Sequence, residues 1–180
     1  MDTEIKRDID KQAENVVQLL IKLQKKVATA ESCTGGLISA AITSVSGSSE
    51  VFDMGICSYS NKIKHDRLGV PSKFFKQYGA VSEQVAKYMA KGAVNASNSD
   101  FGISTTGVAG PTGGTEEKPV GTVWIGICKR TEMGTLETKA EGFLLKTENC
   151  PADMTEREYI RSLAVLTALK MLEEEIRGKY

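Results

Sequence analysis

One histidine in 180 residues is the first thing this sequence has little of. His65 is therefore the only imidazole for a Ser-His-Asp triad or a zinc site. It lies among Lys62, Lys64 and Arg67, where a solvated surface role is the ordinary expectation. The four cysteines (33, 57, 128 and 150) contain no C-x-x-C pair, so a zinc finger is excluded and a disulfide framework does not fit. Reduced thiols point to a cytoplasmic protein. No apolar run approaches ~18 residues, so no membrane-spanning helix is expected. Met1-Asp2-Thr3-Glu4 lacks the basic opening of a signal peptide. An excess of one charge is missing too: Lys+Arg and Asp+Glu each number 23, so no global field favours nucleic acid or an anionic membrane.

Several catalytic patterns are absent as well. No two glycines lie two positions apart, which removes the dinucleotide fingerprint G-x-G-x-x-G. Neither a phosphate-binding G-x-x-x-x-G-K-[ST] nor a G-x-S-x-G elbow nor an S-x-x-K pattern occurs. With histidine disfavoured, lysine and tyrosine remain as proton carriers.

What is present reads as alternating helices and strands. Ile9, Ala13, Val16, Val17, Leu20, Ile21 and Leu23 form an amphipathic helical stripe over 8–25. A short buried strand, Val27 to Ala30, breaks at Glu31-Ser32-Cys33-Thr34-Gly35-Gly36, and a helix from Leu37 follows. A strand is expected from about Met54 to Tyr59, and then a short basic helix from Asn61 to Leu68 ended by Gly69. Pro71 to Tyr78 suggests another helix, and Ser82 caps one running to about Asn95. Phe101 to Thr106 is strand-like, and four glycines with Pro111 make Gly107 to Gly114 a loop. Val120 to Cys128 and Thr135 to Leu145 fit a hairpin, and a C-terminal helix starts near Asp153. The fold class expected is α/β: a three-layer α/β/α sandwich with a mixed sheet, in a single domain.

Three polar loops each follow an expected strand: Glu31–Gly36, Tyr59–Lys64 and Ser104–Gly114. In open α/β sheets ligands bind beyond the carboxyl ends of strands, so these loops can share one crevice. The first runs into a helix N-terminus, which favours an anion or a developing oxyanion. The plain alternative is that Ser32 or Thr34 only caps that helix. For Lys64 the plain alternative is a solvated face. For the glycine loop, close backbone approach to a ligand would justify its entropic cost. Unaided, these residues support a small-molecule site for an anionic ligand.

The same segments resemble a known family. Ala30-Glu31-Ser32-Cys33-Thr34-Gly35-Gly36, Tyr59-Ser60-Asn61-Lys62-Ile63-Lys64, Gly79-Ala80-Val81-Ser82-Glu83 and Ser104 to Gly114, followed by Glu117 to Trp124, are similar to the C-terminal domain of the CinA (competence/damage-inducible) proteins. Standalone members are nicotinamide-nucleotide amidohydrolases. The resemblance implies hydrolysis of nicotinamide mononucleotide to nicotinic acid mononucleotide and ammonia, in pyridine nucleotide salvage. It also implies Ser32 as nucleophile, Lys64 as the lysine acting with it and Tyr59 as the site tyrosine. Glu31, Thr34, Gly35, Gly36, Thr105, Thr106, Gly107 and Gly110 fall in the pocket loops. The family's Gly-Asp-Arg before the last helix is replaced: Arg157 matches by its distance to Arg161 and Ala164, but Thr155-Glu156 stands in place of Gly-Asp. Arg157 is the candidate for holding the phosphate.

Amide hydrolysis needs a nucleophile, a proton acceptor and an oxyanion site. Ser32, Lys64 with a lowered pKa, and backbone N–H groups near Cys33–Gly36 can supply them. No metal or cofactor is called for, since one histidine and scattered carboxylates make a poor ligand set. The partner expected is a small pyridine mononucleotide, with no nucleic acid and no membrane, and a homodimer is left open. Two rivals stand beside this reading: a thiol amidase built on Cys33 and His65, and a nucleotide-binding or competence-related regulatory module without turnover.

Overall fold

Strand β1 (Val27–Glu31) is buried along its whole length in a computed structural model that describes residues 4–178. It sits between β2 (Phe52–Cys57) and β3 (Phe101–Gly107), parallel to both. Strands β4 (Thr122–Arg130) and β5 (Leu136–Leu144) add antiparallel, giving one mixed sheet in the order β2-β1-β3-β4-β5. Flanking strands on both sides and helices on both faces explain why every residue of β1 is buried, Thr29 and Glu31 included.

Helices α1 (Glu4–Leu23), α2 (Leu37–Thr43) and α6 (Glu156–Ile176) cover one face. Val16, Val17, Leu20, Ile38, Leu169 and Leu172 pack there against Val27, Ile103, Ile125 and Ile127. Helices α3 (Asn61–Leu68), α4 (Ser72–Gln77) and α5 (Glu83–Ser97) cover the other. On that side Leu68, Val85, Met89 and Ala93 meet Ala28 and Ala30 of β1, with Met54 and Ile56 of β2 against them. Strand alternation thus fixes two sides for every residue at the strand ends. This is the three-layer α/β/α arrangement that the pattern predicts, as one α/β domain with a mixed sheet.

Boundaries differ from expectation where the chain must turn. Strand β2 stops at Cys57, because Ser58 and Tyr59 bend away into α3. Thr105 and Thr106 lie inside β3 rather than in a loop. Val120 stays outside β4, since Pro119 precedes it and Gly121 follows with φ +94°. No helix among the described residues is long and apolar enough to cross a membrane. Met1–Thr3, part of the segment from which the absence of a signal peptide is expected, lie outside the described residues.

The last helix starts at Glu156 rather than Asp153, and the replaced Thr155-Glu156 segment supplies the reason. The Thr155 hydroxyl accepts from the Glu158 amide at 3.2 Å, and the Glu158 carboxylate accepts from the Thr155 amide at 2.8 Å. This reciprocal capping box satisfies two orphan donors of the first turn. Thr155→Ala should cost ~0.5–2 kcal/mol of folding free energy, the usual range for a lost N-cap. Urea denaturation monitored by circular dichroism measures it; an unchanged midpoint would show that the cap carries no stability.

Candidate active site

The turn after β1 is built around a buried carboxylate. Glu31 Oε2 accepts from Thr34 Oγ1 and the amides of Gly36 and Ile38, and Oε1 accepts from the Ser39 amide and hydroxyl. Glu31 is fully buried, and these donors neutralise it at the positive end of α2. Helix α2 is therefore capped by Glu31: its N-cap position, Gly36 at φ +97°, has no capping side chain, so neither Ser32 nor Thr34 caps it. A Cβ on Gly36 would lie 3.2 Å from Cys57 Sγ in a left-handed conformation that only glycine adopts easily. Glu31 has no oxygen left for a ligand and acts as a strut rather than a pocket contact.

With Glu31 facing α2, Ser32 must face the opposite side of the sheet, toward α3. Lys64 meets it there. Ser60 caps α3 by accepting from the Ile63 amide, which fixes the first turn and points Lys64 inward. Lys64 is only 1% exposed. Its Nζ donates to Ser32 Oγ at 3.0 Å, to the Ser58 carbonyl at 2.7 Å and to the Tyr59 carbonyl at 3.1 Å. Burial pushes its pKa down from 10.5 to about 8. The solvated reading of Lys64 therefore fails. Lys62, two positions earlier and so across the helix, pairs with Asp66 in solvent instead.

The rival thiol pair is not assembled. Cys33 sits in the apolar core between β1 and α6, and burial raises its thiol to about 11. His65 is exposed and spends Nδ1 on the Val70 carbonyl at 2.8 Å.

Helix α6 contributes two arginines one turn apart. Arg161, which the sequence reading used only as a marker, donates to the carbonyls of Cys33 at 3.2 Å and Thr34 at 2.9 Å. Across a trans peptide the C=O and the following N–H point in opposite directions. Drawing those two carbonyls toward α6 therefore turns the Thr34 and Gly35 amides away from it. Among the described residues neither amide has a backbone acceptor, whereas the Gly36 amide is spent on Glu31. Arg157 donates through Nη1 to the Gly110 carbonyl and through Nη2 to the Tyr59 hydroxyl at 3.4 Å. It thereby joins the glycine loop to the half-open mouth, where Tyr59 is 67% exposed. No ion pair of Arg157 with Asp153, Glu156 or Glu158 is present among the described residues.

The two threonines separate. Thr34 gives its proton to Glu31, so Thr105 Oγ1 is the donor in their 2.7 Å contact on the α2 side. Thr106 points the other way and donates to the Ala80 carbonyl at 2.8 Å. Gly107 and Gly110 are explained by packing rather than by a ligand: a Cβ would come within 2.7 Å of the Thr122 carbonyl and 2.5 Å of Val120 Cγ1 respectively. Ser32, Lys64, Tyr59, Gly35, Arg157 and the Gly110 carbonyl thus gather at one end of β1. Glu31, Thr34 and Thr105 brace them from behind. No three His, Cys, Asp or Glu side chains gather as a metal site among the described residues.

Known proteins share this arrangement of elements. A family model described as the CinA C-terminal domain matches residues 9–176. A competence-damage inducible protein of Thermoanaerobacter sp. strain X514 is 43% identical over 171 residues, covering 95% of this chain and 38% of that protein. A CinA-like protein of Colwellia psychrerythraea is 58% identical over 113 residues, covering 63% of this chain and 26% of its own. The chain thus spans well under half the length of these curated relatives. The crystal structure of the competence/damage inducible protein CihA from Agrobacterium tumefaciens superposes with a TM-score of 0.80 at 40% identity, covering 92% of this chain and 93% of that one.

The buried amine makes stability depend on pH. Lys64 has its ordinary value of 10.5 when unfolded and about 8 when folded. Between those values the unfolded chain holds a proton that the folded chain has lost, so stability rises as pH rises through the window. Lys64→Met removes that term. The difference in unfolding free energy should move in favour of the wild type between pH 7 and 10, by on the order of 1–3 kcal/mol. Urea unfolding of both proteins at the two pH values measures it, and a difference that stays constant contradicts the burial penalty.

Proposed function

The chain belongs to the CinA C-terminal domain family, and on that premise we propose that it is a carboxamide hydrolase that converts nicotinamide mononucleotide to nicotinic acid mononucleotide and ammonia. One observation carries the reading: a buried lysine, with its pKa lowered to about 8, touches the hydroxyl of a serine at the carboxyl end of a central strand. A neutral Lys64 has two N–H groups and one lone pair. The carbonyls of Ser58 and Tyr59 take the two hydrogens, so the lone pair is left for the Ser32 hydroxyl.

Ser32 Oγ attacks the carboxamide carbon while its proton passes to Lys64 Nζ. The amides of Thr34 and Gly35, aimed by Arg161, hold the oxyanion. Collapse breaks the C–N bond, the nitrogen leaves as ammonia with the proton returned from Lys64, and an ester to Ser32 remains. Water then repeats the sequence with Lys64 again as base, releasing the acid. Arg157 and Tyr59 at the mouth receive the phosphate end of the substrate, the guanidinium making charge-assisted bonds. On this reading the activity belongs to pyridine nucleotide salvage, in the cytoplasm to which reduced thiols point.

Purified protein should release ammonia from nicotinamide mononucleotide, and Ser32→Ala should reduce that release to background with the fold intact. Lys64→Met should lower kcat far more than Lys62→Met, whose lysine faces solvent. The wild-type kcat/KM should climb with pH and level off above about 8, because only the neutral amine accepts the serine proton. Normal turnover by Ser32→Ala, or equal effects of the two lysine variants on KM alone, would refute the dyad.

The phosphate role of Arg157 has its own comparison. Wild type and Arg157→Ala are each titrated with nicotinamide mononucleotide and nicotinamide riboside. Loss of the guanidinium should remove most of the preference for the phosphorylated compound and leave the riboside nearly unaffected. A preference that survives intact moves the anchor elsewhere, with Lys62 and Arg67 as the next cations.

A further inference from the structure

Strand β5 is an outer edge of the sheet. Proteins shorten, bend or cover such edges, because a row of unpaired N–H and C=O groups invites another strand. At the opposite edge β2 is only six residues long, and its pairing with β1 shifts register at Val27/Ala28. Strand β5 has nine residues, pairs with β4 without a shift and contains no proline. None of the nine is buried, and Leu144 is 55% exposed.

The ladder fixes which backbone groups point outward. The Thr131 amide donates to the Thr135 carbonyl at one end and the Leu145 amide to the Gly121 carbonyl at the other, both at 2.9 Å. Hydrogen-bonded and non-hydrogen-bonded pairs alternate between those two ends. Glu137, Lys139, Glu141 and Phe143 therefore turn their N–H and C=O groups to β4, and Leu136, Thr138, Ala140, Gly142 and Leu144 turn theirs outward. Lys139 and Glu141 pair with Ile127 and Ile125, so both stand on the α6 face, where Lys139 Nζ reaches Glu175 at 2.6 Å.

Charges commonly guard an edge, but these are complementary to a second copy. A two-fold axis at Ala140 matches all the outward groups: Ala140 meets its own copy, Thr138 meets Gly142 and Leu136 meets Leu144. At the non-hydrogen-bonded positions between them Lys139 faces Glu141 of the second copy, twice by symmetry, with Cα atoms ~4.5 Å apart, the closest approach a ladder offers. An axis at residue 139 or 141 would set lysine on lysine or glutamate on glutamate, and one at 138 or 142 would pair only five of the nine residues. We infer that β5 is a self-association edge: a second copy of this chain adds its own β5 antiparallel, centred on Ala140, and the two sheets become one. Strands β3 and β4 separate β5 from β1, so the inference is independent of the amidohydrolase reading.

Sedimentation equilibrium of the purified chain should give twice the chain mass. Glu141→Lys sets lysine against lysine at both contacts. Ala140→Pro removes both central bonds at a position where the N–H points away from β4, as edge strands tolerate. Each should raise the dissociation constant of the dimer about tenfold or more while the circular dichroism spectrum stays unchanged. Lys139→Glu should dissociate the dimer likewise. Mixing Lys139→Glu with Glu141→Lys should restore it, because opposite charges then meet at both contacts between the unlike chains. A wild type that stays monomeric up to its solubility limit overturns the proposal and leaves the edge to a strand of some other protein. A dimer that survives Glu141→Lys unchanged lies on another surface and overturns it too. Folded charge variants that do not associate on mixing overturn the Ala140 register. Should Lys139→Glu, with its charge beside Glu175, or Ala140→Pro fail to fold, the exposed Glu141→Lys decides alone.

Discussion

The Glu31 carboxylate is the contact on which the rest of the site depends. Burying a lone carboxylate is costly, and here five donors from the turn and α2, with the Thr29 hydroxyl as a longer sixth at 3.5 Å, offset the cost. Because Glu31 is turned to that face, the next residue is forced to the other, and Ser32 meets Lys64. The same carboxylate ties down Thr34, and through it Thr105. A single acidic residue thus locks strand, turn and helix into one rigid unit without touching the reacting atoms.

The lysine is placed by a different balance. An ammonium removed from water is penalised, but an amine loses much less. A position that buries Nζ while offering it two carbonyls and one hydroxyl therefore shifts Lys64 toward the neutral form. Capping of α3 by Ser60 sets the angle, and β2 ends early enough for Ser58 and Tyr59 to present their carbonyls. Local turn geometry thus gives Ser32 a basic neighbour without using the one histidine.

Much of this was legible in the sequence, and the limits have physical causes. The short β-prone segment Val27–Ala30 and the Gly35-Gly36 turn marked β1 and the start of α2, and alternation of helices and strands marked the sandwich. Lys64 was not legible unaided: Lys62, Lys64, His65 and Arg67 read as one basic surface, and which of two lysines faces inward depends on a helix only eight residues long. The resemblance selected Lys64; the residue pattern did not. Glu31 was taken for a pocket residue because a carboxylate beside a candidate nucleophile looks functional, while its close donors come from residues on the following turn and helix.

Helix α6 then explains why distant parts of the chain form one centre. Arg157 and Arg161 are four residues apart, so they share a face and reach out at neighbouring heights. Arg161 grips the turn after Ser32, and Arg157 grips the Gly110 loop and Tyr59. The capping box at Thr155 fixes where the helix begins and so fixes both arginines together. In this chain the Thr155-Glu156 segment that stands in place of Gly-Asp supplies the cap from which both guanidinium groups are delivered. The helix start is therefore constrained by the position of its arginines relative to β1, and any sequence that caps it at that point satisfies the constraint.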